Sequence, residues 1–118
     1  MTQLPRMNRG GKGYKAQVEA THALVLDRLR FWSEIYAIPF GRVSIRKQKS
    51  RGGSCSSIGN LNFNYRLGFL PHELMDYVVV HELCHIKEYN HSQNFWELVA
   101  QAYPNYKQLR KTLETYRF

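Results

Sequence analysis

The chain has 118 residues, and its 17 Lys and Arg outnumber its 9 Asp and Glu, which gives a formal net charge of +8. This length favours one domain around one core, and a hydrophobic content of 43% excludes a disordered chain. No apolar run is long enough to span a bilayer, and the first residues lack the apolar region of a secretory signal. We therefore expect a cytoplasmic protein that does not bind membranes.

The predicted elements begin with a flexible basic arm over residues 1–13, which holds three glycines and three basic residues. A single domain is expected over residues 14–118. From Tyr14 to Ala37 apolar residues recur at spacings of three and four, which predicts an amphipathic helix. Pro39 ends this helix, because proline lacks the N–H that a helix interior requires.

Two segments of alternating polarity follow and predict strands over Arg42–Arg46 and Leu61–Leu67. In the second segment we expect one buried face and one wet face. The buried set is Leu61, Phe63, Tyr65 and Leu67, and the wet set is Asn62, Asn64 and Arg66. Residues 49–57 lie between the two segments, are rich in Gly and Ser, and have room for a short third strand.

The second half of the chain is predicted to be helical. Pro71 suits the first turn of a long helix that runs to about Tyr89. Asn90–Ser92 offers capping side chains for a further helix, and a last helix begins after Pro104. An N-terminal helix, then strands, then helices predicts a compact α+β domain.

The predicted long helix contains the motif His81-Glu82-Leu83-Cys84-His85, which has the form H-E-x-x-H. Residues four apart share a helix face, so both imidazoles can occupy corners of one zinc tetrahedron. Glu82 then lies beside the metal and is predicted to be the general base for a zinc-bound water. The helix is otherwise largely apolar, and buried His and Glu side chains need partners that a metal supplies.

An open catalytic zinc site needs a third protein ligand. His91 lies six residues after His85, the spacing that metzincins use, although Glu88 stands where metzincins have a glycine. We favour His91 over Glu97, a rival ligand on the next helix. Cys84 points away from the metal on a helix, and a disulfide with Cys55 is not expected in a reducing compartment.

The sequence around this motif resembles the YgjP-like metallopeptidase domain, which is similar to SprT-like and WLM zincins that include DNA-dependent proteases. The resemblance covers about residues 40 to 100 and rests on Tyr77–His85, Asn90–Trp96 and the upstream pattern in residues 50–62. It implies a minimal zincin-like fold with an N-terminal helix, a small antiparallel sheet, an active-site helix with H-E-x-x-H, and C-terminal helices. It also implies one zinc ion on His81, His85 and His91, with Glu82 catalytic. The tryptophan that is usual in the upstream pattern is Gly52 here.

We therefore predict a zinc-dependent metallopeptidase that acts on a protein or peptide, with DNA as a candidate activator. Two alternatives stay open: a zinc hydrolase of a non-peptide substrate, and a zinc-stabilised nucleic-acid-binding module. Tyr89, Arg66 and Tyr65 are candidates to stabilise the oxyanion of the reaction. We expect a monomer. The candidate DNA surface, for which a merely solvated face is the alternative, consists of Arg42, Arg46, Lys47, Lys49 and Arg51.

Overall fold

The computed structural model describes residues 1–47 and 52–118. Within these residues four α-helices and a small sheet confirm the expected α+β class. None of the described helices is long and apolar enough to cross a membrane. The helices are α1 (Tyr14–Tyr36), α2 (His72–Lys87), α3 (Gln93–Ala102) and α4 (Tyr106–Leu113).

Helix α1 ends at Tyr36, three residues before the proline that was expected to stop it. Ala37 adopts the left-handed conformation with φ of 55°, and the N–H of Ile38 bonds the carbonyl of Ser33 at 3.1 Å. This bond satisfies a carbonyl group that the helix end would otherwise leave without a partner. The buried side of α1 carries Thr21, Val25 and Leu29.

The sheet contains β2 (Val43–Arg46), β3 (Gly53–Cys55) and β4 (Leu61–Asn64), and β4 is the central strand. Strand β3 is the expected short third strand, and it runs antiparallel to β4. Strand β2 runs parallel to β4, so the sheet is mixed and not antiparallel throughout. The chain changes direction between β2 and β3 and again between β3 and β4, so β2 and β4 run in the same direction. A further strand, β1 (Thr2–Gln3), lies outside this sheet.

The prediction that the last strand reaches Leu67 is wrong, because β4 ends at Asn64 and a 3-10 turn occupies Tyr65–Phe69. The side chain of Asn64 accepts a hydrogen bond from the N–H of Arg66 at 3.0 Å and so caps this turn. The expectation that the side chains of Asn64 and Arg66 face solvent is also wrong. Asn64 is 0% exposed and Arg66 is 2% exposed.

Helix α2 forms the centre of the molecule, and it contacts α1, α3, α4 and β3. Its apolar residues are buried on every side, which agrees with a helix surrounded by other elements. Its one buried aspartate, Asp76, accepts two hydrogen bonds from Arg28 of α1 at 2.8 and 2.9 Å. The buried apolar residues of α2 are Leu74, Met75, Tyr77, Val78, Val79, Val80, Leu83 and Cys84.

The two ends of the chain lie side by side, an arrangement that the sequence did not predict. Strand β1 pairs in parallel with β5 (Tyr116–Arg117), and Leu4 is buried in the core. The N–H of Met7 also donates to the hydroxyl of Tyr65 at 2.6 Å. The first part of the predicted arm thus contacts the domain in this structure, and the flexibility of residues 1–13 stays a prediction.

Candidate metal centre

Three histidines converge on one point at the surface of α2. His81 and His85 lie one turn apart on the helix, and His91 follows it, with one nitrogen of each ring within 4.8 Å of the others. The Nε2 atoms of His85 and His91 are 2.8 Å apart, and those of His91 and His81 are 3.2 Å apart. Zinc–nitrogen bonds of about 2.0–2.1 Å in a tetrahedron place ligand nitrogens roughly 3.3 Å apart. The three side chains therefore fit a metal ion of this size.

His85 is held in the orientation that a ligand needs. Its Nδ1 lies 3.1 Å from the carbonyl oxygen of Glu88, and its ring stacks on Phe95 with centroids 4.3 Å apart. An Nδ1–H that donates to this carbonyl leaves the Nε2 lone pair facing the other two histidines. The backbone at the end of α2 thus sets both the tautomer and the direction of the ring.

Burial keeps His81 and His85 neutral. It lowers the pKa of His81 to about 3, and the neighbouring His85, His91 and Arg110 are the smaller causes. Burial also lowers the pKa of His85, although its hydrogen bond to the backbone opposes this effect. Because a metal binds only the neutral imidazole, both rings are in the binding form at neutral pH.

His91 reaches this point without the glycine that metzincins have at the turn. Glu88, at the glycine position, leaves the helix with φ of −126° and ψ of 91°, an extended conformation open to any residue. After the turn, the side chain of Ser92 caps α3 by accepting a bond from the N–H of Phe95 at 3.4 Å. The ring of His91 stacks on Trp96 of that helix, with centroids 5.5 Å apart.

Glu97, the rival third ligand, lies apart from the three histidines. Its Oε1 accepts a hydrogen bond from Gln93 at 3.0 Å, and it lines a separate surface depression beside Lys87. No carboxylate joins the histidine group among the residues that the structure describes. The geometry therefore brings together His81, His85 and His91 and leaves Glu97 outside. Cys84 is buried within the core and, like Cys55, is a free thiol.

Glu82 is buried beside the histidines and directly beneath β3. A Cβ atom on Gly53 would lie 3.0 Å from Cγ of Glu82, and also 3.1 Å from the backbone oxygen of Asn62. A larger residue at position 53 would therefore press on the carboxylate. Sequence reasoning missed Gly53, and its only signal was its place in a glycine-rich stretch of the upstream pattern.

Two adjoining pockets open around Glu82. The ligand pocket has a volume of about 440 Å³ and contains the three histidines, Tyr89 and Cys55. The side pocket has a volume of about 260 Å³ and lies on the other side of Glu82, between α2 and α4. Both pockets share His81, Glu82 and Gly53, so β3 runs along the edge of the whole cleft. The remaining residues of the side pocket are Gly52, Tyr77, Val78, Arg110, Leu113 and Glu114.

Of the candidate oxyanion groups, Tyr89 alone lies at the site, where it is exposed in the ligand pocket. Tyr65 and Arg66 are buried and line neither pocket. The candidate DNA surface lies elsewhere, along β2. Arg42 and Arg46 are exposed there, and Arg46 donates to the side chain of Asn62 at 2.8 Å. Lys47 follows β2, whereas Lys49 and Arg51 lie outside the described residues.

The whole domain matches a known family. Residues 12–116 match the family described as YgjP-like, metallopeptidase domain. The chain belongs to this family. It is therefore a metallopeptidase, which favours a peptide substrate over the two alternatives that the sequence left open. No curated protein matches the chain at a significant level.

Solved structures agree with the fold. The metallopeptidase zymogen of Pyrococcus abyssi abylysin is 28% identical, with a TM-score of 0.70 over 77% of this chain and 92% of that one. The metallopeptidase zymogen of Methanocaldococcus jannaschii jannalysin has a TM-score of 0.68 over 77% of this chain and 94% of that one. At 19% identity the second likeness shows the fold alone. The expected zincin-like fold is confirmed.

Proposed function

We propose that His81, His85 and His91 hold one zinc ion and that Glu82 is the general base of peptide-bond hydrolysis. The convergence of three imidazole nitrogens within 4.8 Å carries this proposal. Three imidazoles are a preferred donor set for zinc. When bound, such an ion supplies a Lewis acid and lowers the pKa of a coordinated water to about 7.

Glu82 has the position that proton transfer requires. Its carboxylate follows the first histidine of the motif and borders both pockets, so it adjoins any substrate bound at the histidines. It accepts a proton from the attacking water and delivers the proton to the amine that leaves. Strand β3 packs against its side chain, which is 7% exposed.

The substrate class follows from the shape of the cleft. Strand β3 is at the edge of the sheet and borders both pockets, so its outer backbone groups can pair with an extended peptide. A segment of a protein that is unfolded or locally extended fits this arrangement. We propose an unstructured protein or peptide as substrate, with DNA as an activator bound at the exposed arginines along β2.

The first experiment is cleavage of an unstructured protein by the zinc-loaded enzyme, with and without single-stranded DNA. Glu82→Gln keeps the size of the side chain and removes the base, so we expect a loss of about 100-fold or more in kcat with zinc content unchanged. Zinc content is measured by atomic absorption on the same samples. DNA activation predicts faster cleavage when the DNA is present.

The matched control is Glu97→Gln, which removes a carboxylate that lies outside the histidine group. This variant should keep both its zinc and its activity. Zinc loss in Glu97→Gln would contradict the assignment of His91 as the third ligand. Activity retained in Glu82→Gln would contradict the role of Glu82.

A further inference from the structure

The side pocket has a built polar wall that the reaction described above does not use. Its inner surface is largely apolar, with Val78 on one side and Leu113 on the other. Three of its residues carry polar groups toward which a ligand could turn: Tyr77, Arg110 and Glu114. Because the pocket shares Glu82 and Gly53 with the ligand pocket, a peptide along β3 would place a residue next to its scissile bond here.

Tyr77 supplies the first polar group. It lies one helical turn before His81, and its side chain is 1% exposed. Its hydroxyl is buried and has no hydrogen-bond partner among the residues that the structure describes. Buried hydroxyl groups without partners are uncommon in folded proteins. Tyr77 lines the side pocket, and a ligand atom there would supply the missing bond when the ring turns to expose the hydroxyl.

Arg110 supplies the second polar group, and its guanidinium is held in place. It packs over the ring of Trp96 at 4.5 Å from the centroid, and that ring stacks on Tyr106 with centroids 4.9 Å apart. Burial raises the pKa of Tyr77 to about 12, and the positive charge of Arg110 opposes this rise. The cation therefore acts on the same inner wall where the buried hydroxyl lies.

Glu114 lies four residues after Arg110, just beyond the end of α4, and is exposed. Arg110 and Glu114 form no ion pair with each other. Among the residues that the structure describes, the ion pair joins Arg28 to Asp76. Arg110 thus keeps hydrogen-bond donors for a ligand. The pocket combines this cation, a buried hydroxyl and apolar walls with the carboxylates of Glu82 and Glu114 at its border.

We propose that the side pocket binds a carboxylate of the substrate, held by the guanidinium of Arg110 and the hydroxyl of Tyr77. The carboxylate belongs either to an acidic side chain next to the scissile bond or to the C-terminus of a short product-side segment. Arginine suits this ligand because its planar N–H groups match the two carboxylate oxygens. This inference rests on the proposed function, since it assumes that a peptide lies in the cleft.

The experiment uses peptides that span a cleavage site, with Glu, Gln or Lys on either side of the scissile bond. A second set ends in a free carboxylate or in an amide at the same place. With the zinc-loaded enzyme, kcat/KM for Glu over Gln should be about tenfold or more at one position, the factor expected for a charge-assisted hydrogen bond. A preference for the free C-terminus over the amide would instead identify the terminal carboxylate as the ligand.

Three variants test the residues themselves. Arg110→Gln should reduce the preference for the carboxylate toward one, and Tyr77→Phe, which removes only the hydroxyl, should reduce it a few-fold. Lys107→Gln removes one positive charge from the same helix outside the pocket and should leave the preference intact. Loss of preference in Lys107→Gln as large as that in Arg110→Gln would overturn the proposal, because a general charge effect would then explain it.

Binding to Glu82→Gln, measured by anisotropy of labelled peptides, separates this inference from the proposed reaction. Selective binding of carboxylate peptides that depends on Arg110 supports the pocket even if no peptide is cleaved. Cleavage that depends on Glu82 but shows no carboxylate preference would overturn the proposed carboxylate site. The proposed peptidase activity would be unaffected by that result. A preference for Lys that is lost in Glu114→Gln would also overturn the carboxylate site, because the pocket would then bind cations.

Discussion

At the scale of single residues, the position of Glu82 depends on the absence of a side chain at Gly53. A methyl group there would lie 3.0 Å from Cγ of Glu82 and 3.1 Å from the backbone oxygen of Asn62. Gly53→Ala should therefore displace the carboxylate by a few tenths of an ångström and lower kcat by about tenfold, less than the roughly 100-fold cost of a 1 Å misplacement. The assay is cleavage of an unstructured protein, with zinc content measured in parallel.

Zinc should stay bound in Gly53→Ala, because the three atoms nearest to the methyl group belong to Glu82, Asn62 and Phe63 and not to a histidine. Gly10→Ala is the matched control, since a Cβ at Gly10 meets no atom within 4 Å. A wild-type kcat in Gly53→Ala would show that Glu82 tolerates the shift. Loss of zinc would show instead that the strand supports the ligands.

The convergence of His81 and His85 could be predicted from sequence because residues four apart share a helix face, and Glu82 comes directly after the first of them. His91 could be predicted from its distance to His85, although the extended conformation of Glu88 could not. Gly53 escaped prediction because its importance lies in a contact between strand and helix. The same holds for Gly52, where a Cβ would lie 3.3 to 3.5 Å from Leu67, Val78 and Phe118. A tryptophan at position 52 would need those three side chains to move.

At the scale of elements, one ion pair joins α2 to α1. Asp76 is 5% exposed, and it accepts two hydrogen bonds from Arg28, whose side chain is 22% exposed. Asp76→Ala would leave a partly buried guanidinium without its partner, and the free energy of unfolding should fall by about 2 kcal/mol. Urea denaturation of the metal-free protein measures this change without a contribution from zinc binding.

Glu19→Gln is the control for that measurement, because Glu19 is an exposed acid on α1, the helix that carries Arg28. Its effect should stay within about 0.5 kcal/mol. Equal destabilisation by both substitutions would mean that net charge, and not the buried pair, sets the stability of the junction.

The helices could be predicted to within a few residues because periodicity and prolines mark them locally. The sheet could not be predicted as well. Alternation at Leu61–Leu67 indicates a strand, but the bond from Asn64 to the N–H of Arg66 ends it early. Alternation also carries no information about strand order, so the parallel pairing of β2 with β4 could not be predicted from the sequence. The pairing of β1 with β5 joins the two ends of the chain through two residues each, too few to form a pattern.

At the scale of the whole molecule, the net charge of +8 is the remaining feature without an assigned role. Part of it lies along β2, on the outer side of the sheet and away from both pockets. Arg42 and Arg46 are exposed there, and the hydrogen bond to Asn62 holds Arg46 across the neighbouring strand. Two exposed cations along one strand form a surface that a phosphate backbone can follow.

Binding of single-stranded DNA should therefore weaken steeply as salt rises. Each phosphate contact contributes about 0.7 to the slope of log K against log salt concentration. Replacing both Arg42 and Arg46 with Gln should reduce that slope by roughly 1.4 if each binds one phosphate. Fluorescence anisotropy of labelled DNA across a salt series gives the slope for each variant.

The control for this series is the double variant of Lys15 and Arg30 to Gln, which removes the same charge from exposed positions on α1. If the β2 arginines bind DNA, this control keeps the wild-type slope, because its charges make no phosphate contact. If both double variants lose slope equally, the attraction comes from net charge over the whole surface and β2 is an ordinary solvated face. A slope near zero in the wild type would remove DNA from the list of partners, and the cleavage assay would then need no nucleic acid.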